Sequence, residues 1–252
     1  MTYFTMNPIL IAAAVIPAII LLVRVYKADK LDREPPGLLI SLVLFGILST
    51  LIALMLEHIG MWLLPHFVTE DTILYNALLY FGVVAFSEEG AKYLLLKKRT
   101  WNHYAFNCQF DGVVYAVFVS LGFALWENIS YVAGSGLWTA LIRSVTAMPG
   151  HACFGVFMGV FYGAAKRMEG MRNEQSAKRL RKAALLLPAF MHGAYDFLAT
   201  IPLKRYSWFF AAFILGMFIF CYKLVKRASA DDHYIAQPFE EEQAVWGENE
   251  KI

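Results

Sequence analysis

The sequence predicts an all-α protein, a polytopic transmembrane bundle of about seven spans, with an eighth left open. Three observations carry that prediction. The 252 residues are 59% apolar and only 17% charged, against about 45–50% and about 25% in an ordinary soluble domain. Apolar runs of near 20 residues, the length a helix needs to cross the hydrocarbon core, recur along the chain. Basic residues cluster between alternate runs. The net charge of +2 is too small to argue for a nucleic-acid partner. Cys108, Cys153 and Cys221 stand far apart, which excludes a CxxC zinc site and a disulfide framework.

The runs fall at 7–25, 37–57, 73–96, 110–132, 139–165, 183–201 and 206–225. The first is not a cleaved signal peptide, because Arg24, Lys27, Lys30 and Arg33 follow the apolar stretch instead of preceding it. Pro35-Pro36 ends any helix between the first and second runs. Lys97, Lys98 and Arg99 follow the third run. Gly134-Ser135-Gly136 reads as the turn between the fourth and fifth. The stretch 166–182, KRMEGMRNEQSAKRLRK, reads as the largest cytoplasmic loop, and Lys223, Lys226 and Arg227 follow the seventh run. Arg143, Lys204 and Arg205 fall on the other side. The positive-inside rule then places the N-terminus outside and the C-terminus in the cytoplasm. Residues 1–227 are expected to form one transmembrane domain. The segment 228–252, with Asp231, Asp232, Glu240, Glu241, Glu242, Glu248 and Glu250, is expected to be a flexible acidic tail.

Polar residues inside spans carry the functional signal. A charge at the bilayer centre costs about 2.5–3.5 kcal/mol on insertion scales. Even so, Glu88, Glu89 and Lys92 lie on the third run, Glu127 and Asn128 on the fourth, His151 on the fifth, and His192 and Asp196 on the sixth. Lys92 stands at i+4 from Glu88 and i+3 from Glu89, so it can neutralise one of them and leave the other as a proton acceptor. His192 and Asp196 are also at i,i+4, a spacing that lets the carboxylate fix the imidazole tautomer. His151, Gly155, Gly159 and Gly163 share one helix face. Small residues at that spacing let helices approach closely in lipid, so His151 points toward protein.

The bland readings cover other residues. Glu57 and Asp111 read as boundary groups, and His58, His66, His103 and His233 as solvated. The chemistry of two histidines with several carboxylates suits hydrolysis, either around zinc or by glutamate-activated water without a metal. No HExxH is present, and Tyr195-Asp196 is not followed by GxGD.

Glu88-Glu89-x-x-Lys92, Phe123-x-x-x-Glu127-Asn128, a lone His151 and His192-x-x-x-Asp196, in that order, resemble the PrsW family of bacterial intramembrane proteases. That family is similar to the CAAX-prenyl protease and bacteriocin-processing group. The resemblance runs from about Phe81 to Phe197. It implies an endopeptidase in the bacterial inner membrane that cuts a single-span membrane protein, an anti-sigma factor, in envelope-stress signalling. Carried over, Glu88 is the water-activating carboxylate and Glu89 its partner, held by Lys92. His151 and His192 are ligands or stabilising groups, and Asp196 orients His192. Phe123 and Asn128 are supporting residues. Glu127 stands where the wider group has a His, and Glu127, His151 and His192 are the metal candidates. Zinc and a metal-free mechanism both stay open.

One spacing is awkward. On these spans Glu88 lies toward the cytoplasmic side and Glu127 toward the outer side, roughly 10–15 Å apart in depth at about 1.5 Å per residue. The competing reading is a proton-coupled transporter or channel, since intramembrane Glu/His chains also serve as relays. No inverted repeat supports it.

Overall fold

The computed structural model describes residues 8–70, 72–200 and 207–235. These form α1 (Pro8–Ala28), α2 (Pro36–Leu63), α3 (Ile73–Ala77), α4 (Ala85–Thr100), α5 (Asp111–Val145), α6 (Ala147–Gly170), α7 (Glu174–Thr200) and α8 (Ser207–Ala230). Between α3 and α4, Leu78–Val84 is a π-helical segment, so 73–100 is one continuous rod. The described residues contain no strand. One isolated bridge pairs Cys108 with Tyr234. Five stretches are long and apolar enough to cross a membrane: Ile11–Ala28, Pro36–His66, Asp111–Tyr131, Leu141–Gly170 and Trp208–Ala230.

Proline placement explains two boundaries. Pro35 and Pro36 open α2, where a missing N–H costs nothing. Pro149 sits in the first turn of α6 for the same reason. The expected turn at 134–136 is absent, because α5 runs unbroken for 35 residues and the break falls at Thr146. The side chain of Ser135, Lys204, Arg205 and the acidic positions from Glu240 onward lie outside the described residues. The basic stretch 166–182 is also not a loop. α6 continues to Gly170 and α7 begins at Glu174. Its cations are partly covered: Lys166 and Arg181 lie over the Trp101 ring, each 5.2 Å from the centroid. The Trp101 indole donates to Glu169, which also pairs with Arg181 at 2.8 Å.

The core is the α5–α6 pair, flanked by α1 and α2 on one side and α7 on the other. The predicted glycine face makes that pairing. A Cβ on Gly155 would stand 2.9 Å from Val117 Cα, and one on Gly159 would meet the Val113 backbone. One on Gly163 would meet the Gln109 carbonyl. Glycines here let the two backbones touch, which is how helices gain van der Waals contact where no hydrophobic drive exists.

The start of the tail is packed. Gln109 N–H donates to His233 O, Ile235 N–H to Asn107 O, and Phe110 N–H to Asp232 Oδ1. Ile235 is buried.

Gly159→Ala is expected to lower the thermal midpoint of the detergent-purified protein clearly, because its methyl has nowhere to go in the α5 backbone; overpacking of this kind costs about 1–3 kcal/mol. Gly216→Ala, with nothing within 4 Å of its Cβ, is expected to leave the midpoint unchanged or slightly raised. Equal loss in both would mean that the α5–α6 contact is not the tight one.

Candidate active site

Four helices bring the predicted residues to one place. Glu88, Glu89 and Lys92 come from α4, Phe123, Glu127 and Asn128 from α5, His151 from the start of α6, and His192 and Asp196 from α7. The depth mismatch between Glu88 and Glu127 disappears for two reasons. The 73–100 rod begins where the 73–96 run does but continues to Thr100, so Glu88 lies near its middle. α5 extends to Val145, so Glu127 lies near the middle of that helix too. The break at Thr146 then starts α6 just before His151.

Lys92 is the hub. Its ammonium, fully buried, donates to Glu89 Oε1 at 2.7 Å, Glu88 Oε2 at 3.2 Å and His151 Nδ1 at 3.2 Å. Its fourth side faces the Phe123 ring, 3.9 Å from the centroid. Three N–H protons meet three acceptors, so the charge is compensated without water. With Nδ1 accepting, the proton of a neutral His151 ring sits on Nε2, which lies 2.8 Å from Glu127 Oε2. Glu127 in turn pairs with Arg143 at 2.9 Å. Arg143 Nε donates to Asn128 Oδ1, and Asn128 Nδ2 donates to Ala14 O on α1, both at 3.1 Å. His192 stands between carboxylates: Nδ1 is 3.0 Å from Glu89 Oε1, and Nε2 is 3.4 Å from Asp196 Oδ2.

The site faces a cavity of about 500 Å³. Glu88, His151, His192 and Asp196 line it, as do Glu127 and Arg143, while Glu89 and Lys92 lie behind the wall. Tyr131, 49% exposed, and Thr200, also exposed, lie on its open side. Two lining residues were misjudged from sequence. Glu57 was read as a boundary group, yet it lines the cavity. Arg143 was counted only as an outer-side charge, yet it belongs to α5 and holds Glu127. A lone arginine inside an apolar stretch was the signal available for it. None of His58, His66, His103 or His233 joins the cluster.

The donors also fit a metal. One ligand atom from each of Glu88, Glu89, His151 and His192 lies within 4.8 Å of the others. Each histidine turns Nδ1 inward and has Nε2 backed by a carboxylate, the outer-shell arrangement common at metal-binding histidines. Glu89 Oε2 is buried with no hydrogen-bond partner. Glu127 lies outside this group of four, on the far side of the His151 ring.

Residues 34–225 match the model of the PrsW family intramembrane metalloproteases. The chain belongs to that family. It is 31% identical to Protease PrsW of Geobacillus kaustophilus (strain HTA426), over 87% of this chain and 92% of that relative. It is 30% identical to Protease PrsW of Halalkalibacterium halodurans, over 88% of this chain and 98% of the relative, and 32% identical to that of Clostridioides difficile (strain 630), over 77% and 79%. No solved structure matches it. A PrsW-family chain with five membrane-length apolar stretches is a membrane protein and an intramembrane protease, which disfavours the transporter reading.

Lys92→Met is expected to destabilise the fold by about 3–5 kcal/mol, since it leaves buried carboxylates without their cation. The double variant Glu89→Gln/Lys92→Met is expected to recover a good part of that loss. Thermal unfolding in detergent, read as a double-mutant cycle, checks this. Additive losses would show that Lys92 does not chiefly serve Glu89.

Proposed function

We propose that this protein is an endopeptidase that cuts a peptide bond of a single-span membrane protein, with an anti-sigma factor as the substrate class implied by the sequence motifs. The observation that carries the reading is the division of labour within the glutamate pair. Glu89 is fully buried and held by Lys92 and His192, whereas Glu88 shares the same ammonium at a longer distance and lines the cavity. Glu88 is therefore the group that can take a proton from a water molecule beside a scissile carbonyl, as a general base. His151 and His192, on the same wall, are the groups that would donate to the developing oxyanion or return a proton to the leaving amine, each exchanging one of its present ring-nitrogen contacts for the substrate. Asp196 orients His192, and Glu127 with Arg143 orients His151. Phe123 closes the apolar side of Lys92, and Asn128 aims Arg143.

The residues that would hold a zinc-type ion are His151, His192 and Glu89. Such an ion, when bound, supplies Lewis acidity and a more acidic water. In the proposed topology seven helices span the bilayer, counting 73–100 and α7, with the N-terminus outside and the basic ends cytoplasmic. The protease domain covers 1–227, and the membrane is the bacterial inner membrane. The cavity then opens on the outer side, where Glu57, Tyr131 and Thr200 lie.

The test is cleavage of a reporter single-span protein by detergent-purified enzyme. Glu88→Gln is expected to lose roughly 10²–10⁴-fold in rate while keeping its thermal midpoint, and His192→Ala is expected to lose activity as well. Phenanthroline inhibition reversed by added zinc would assign a metal to the histidines, and full activity in the chelator would assign the work to Glu88 and the histidines alone. Wild-type cleavage by a folded Glu88→Gln protein would overturn the assignment of the base.

A further inference from the structure

A second buried acidic cluster lies far from the cavity. Asp29 follows α1 directly, Glu34 precedes Pro35-Pro36, and Asp111 is the first residue of α5. One carboxylate oxygen from each lies within 4.8 Å of the others, and all three residues are buried. Asp111 and Glu127 stand sixteen positions apart on α5, about 24 Å along the axis.

These carboxylates are only partly satisfied. Asp111 Oδ2 accepts from the backbone N–H groups of Asn107 at 3.0 Å and Cys108 at 2.7 Å, and Glu34 Oε2 accepts from the Tyr115 hydroxyl at 2.6 Å. Asp29 is 0% exposed, and neither of its oxygens has a hydrogen-bond partner. Asp111 Oδ1 is buried and unpartnered, and so is Oδ2 of the neighbouring Asp232. Among the described residues, no ion pair involves Asp29, Glu34, Asp111 or Asp232. Arg33 lies over the Tyr26 ring instead. At the other cluster Lys92 supplies the missing positive charge. Here Arg33 acts on Asp29 only from a distance, and among the described residues no cationic side chain makes an ion pair with the cluster.

Several buried oxygen donors with no internal cation are costly. Either protons or an external cation must close the cluster. Hard carboxylate oxygens without histidine select Ca²⁺ or Mg²⁺ over zinc. We propose that Asp29, Glu34 and Asp111 bind a hard divalent cation, Ca²⁺ or Mg²⁺, which clamps the α1–α2 turn onto the start of α5. The neighbouring Asp232 extends the clamp to the docked 231–235 segment. Burial, with Asp232 and Asp32 nearby, pushes the Asp29 carboxyl up to about 6, and burial holds that of Glu34 at about 7. Both directions follow chiefly from burial, which the distant Arg33 does not offset at Asp29. The rival is closure by protons shared between the carboxylates.

The experiment uses the full chain in detergent after EDTA treatment. Terbium luminescence, sensitised by Tyr115 next to Glu34, reports occupancy, and the thermal midpoint reports the clamp. Wild type is expected to give saturable luminescence that Ca²⁺ or Mg²⁺ displaces, and a midpoint raised by several degrees. The ion that acts at the lower concentration is the one the site prefers. Asp29→Asn is expected to weaken terbium binding by at least about tenfold and to abolish the midpoint response. Should that variant not fold, Tyr115→Phe replaces it, and there the luminescence falls while the Ca²⁺ or Mg²⁺ shift persists. No cation response in wild type would overturn the proposal in favour of shared protons. So would a response intact in Asp29→Asn, or one lost in Glu88→Gln, which would place the ion at the cavity. The outcome does not depend on whether Glu88 is the base.

Discussion

The arrangement of this bundle depends on one ammonium group. A lysine with no exposed surface is tolerable only if every proton is used, and Lys92 uses all three on Glu88, Glu89 and His151, with the Phe123 ring closing the fourth side. Those contacts tie α4 to α5 and α6, and Glu89 carries the tie on to His192 of α7. The orientation of His151 follows from the same contact. With Nδ1 facing the ammonium, Nε2 faces Glu127. Arg143, Asn128 and the Ala14 carbonyl then complete a hydrogen-bonded chain that reaches α1. Five helices are therefore registered against one another by polar contacts in the part of the molecule where unpaired polar groups are most expensive.

The sequence made the members of this cluster legible because i,i+3 and i,i+4 spacings survive any error in helix boundaries. Glu88, Glu89 and Lys92 had to share a helix face wherever the span began. What spacing could not decide was which glutamate the lysine would bind more closely, because both are within reach. That choice depends on the groups that close around the pair from other helices, His151 on Lys92 and His192 on Glu89, and these are remote in sequence. The heights of the residues were illegible for another reason. Hydropathy ends a span where charges or glycines begin, but α5 continues through Gly134 and Gly136 and past Arg143. Once Arg143 is inside the bundle, it is a partner for Glu127 and not merely an outer-side charge.

The readings that failed share a cause. Charged residues near span ends were taken as solvated because most such residues are. At 166–182 the cations do reach toward solvent, but their stems and charges also cover Trp101, whose indole N–H is held by Glu169. Long basic side chains can serve both purposes at once. Asp111 was misread in the opposite sense. A carboxylate at a helix N-terminus usually accepts the free N–H groups there and remains wet, and Asp111 does accept two backbone N–H groups. It is also fully buried, because the α1–α2 turn and the 231–235 segment close over it. Those covering segments are remote in sequence, so no local pattern could announce them.

The two acidic clusters meet one electrostatic problem in different ways, and the difference bears on what each can do. At the cavity the cation is covalently part of the chain, so the glutamates are held whether or not anything is bound there. Glu88 is left with one oxygen on Lys92 and a face on the cavity, and a group that must exchange protons needs that freedom within a fixed frame. At Asp29, Glu34 and Asp111 the surroundings are backbone N–H groups, a tyrosine hydroxyl and further carboxylates, and the compensating charge has to come from outside. A site built in that way is suited to fastening and poorly suited to turnover. It joins the first turn of the bundle to the N-terminus of its longest helix, the helix that carries Glu127 to the cavity at its other end.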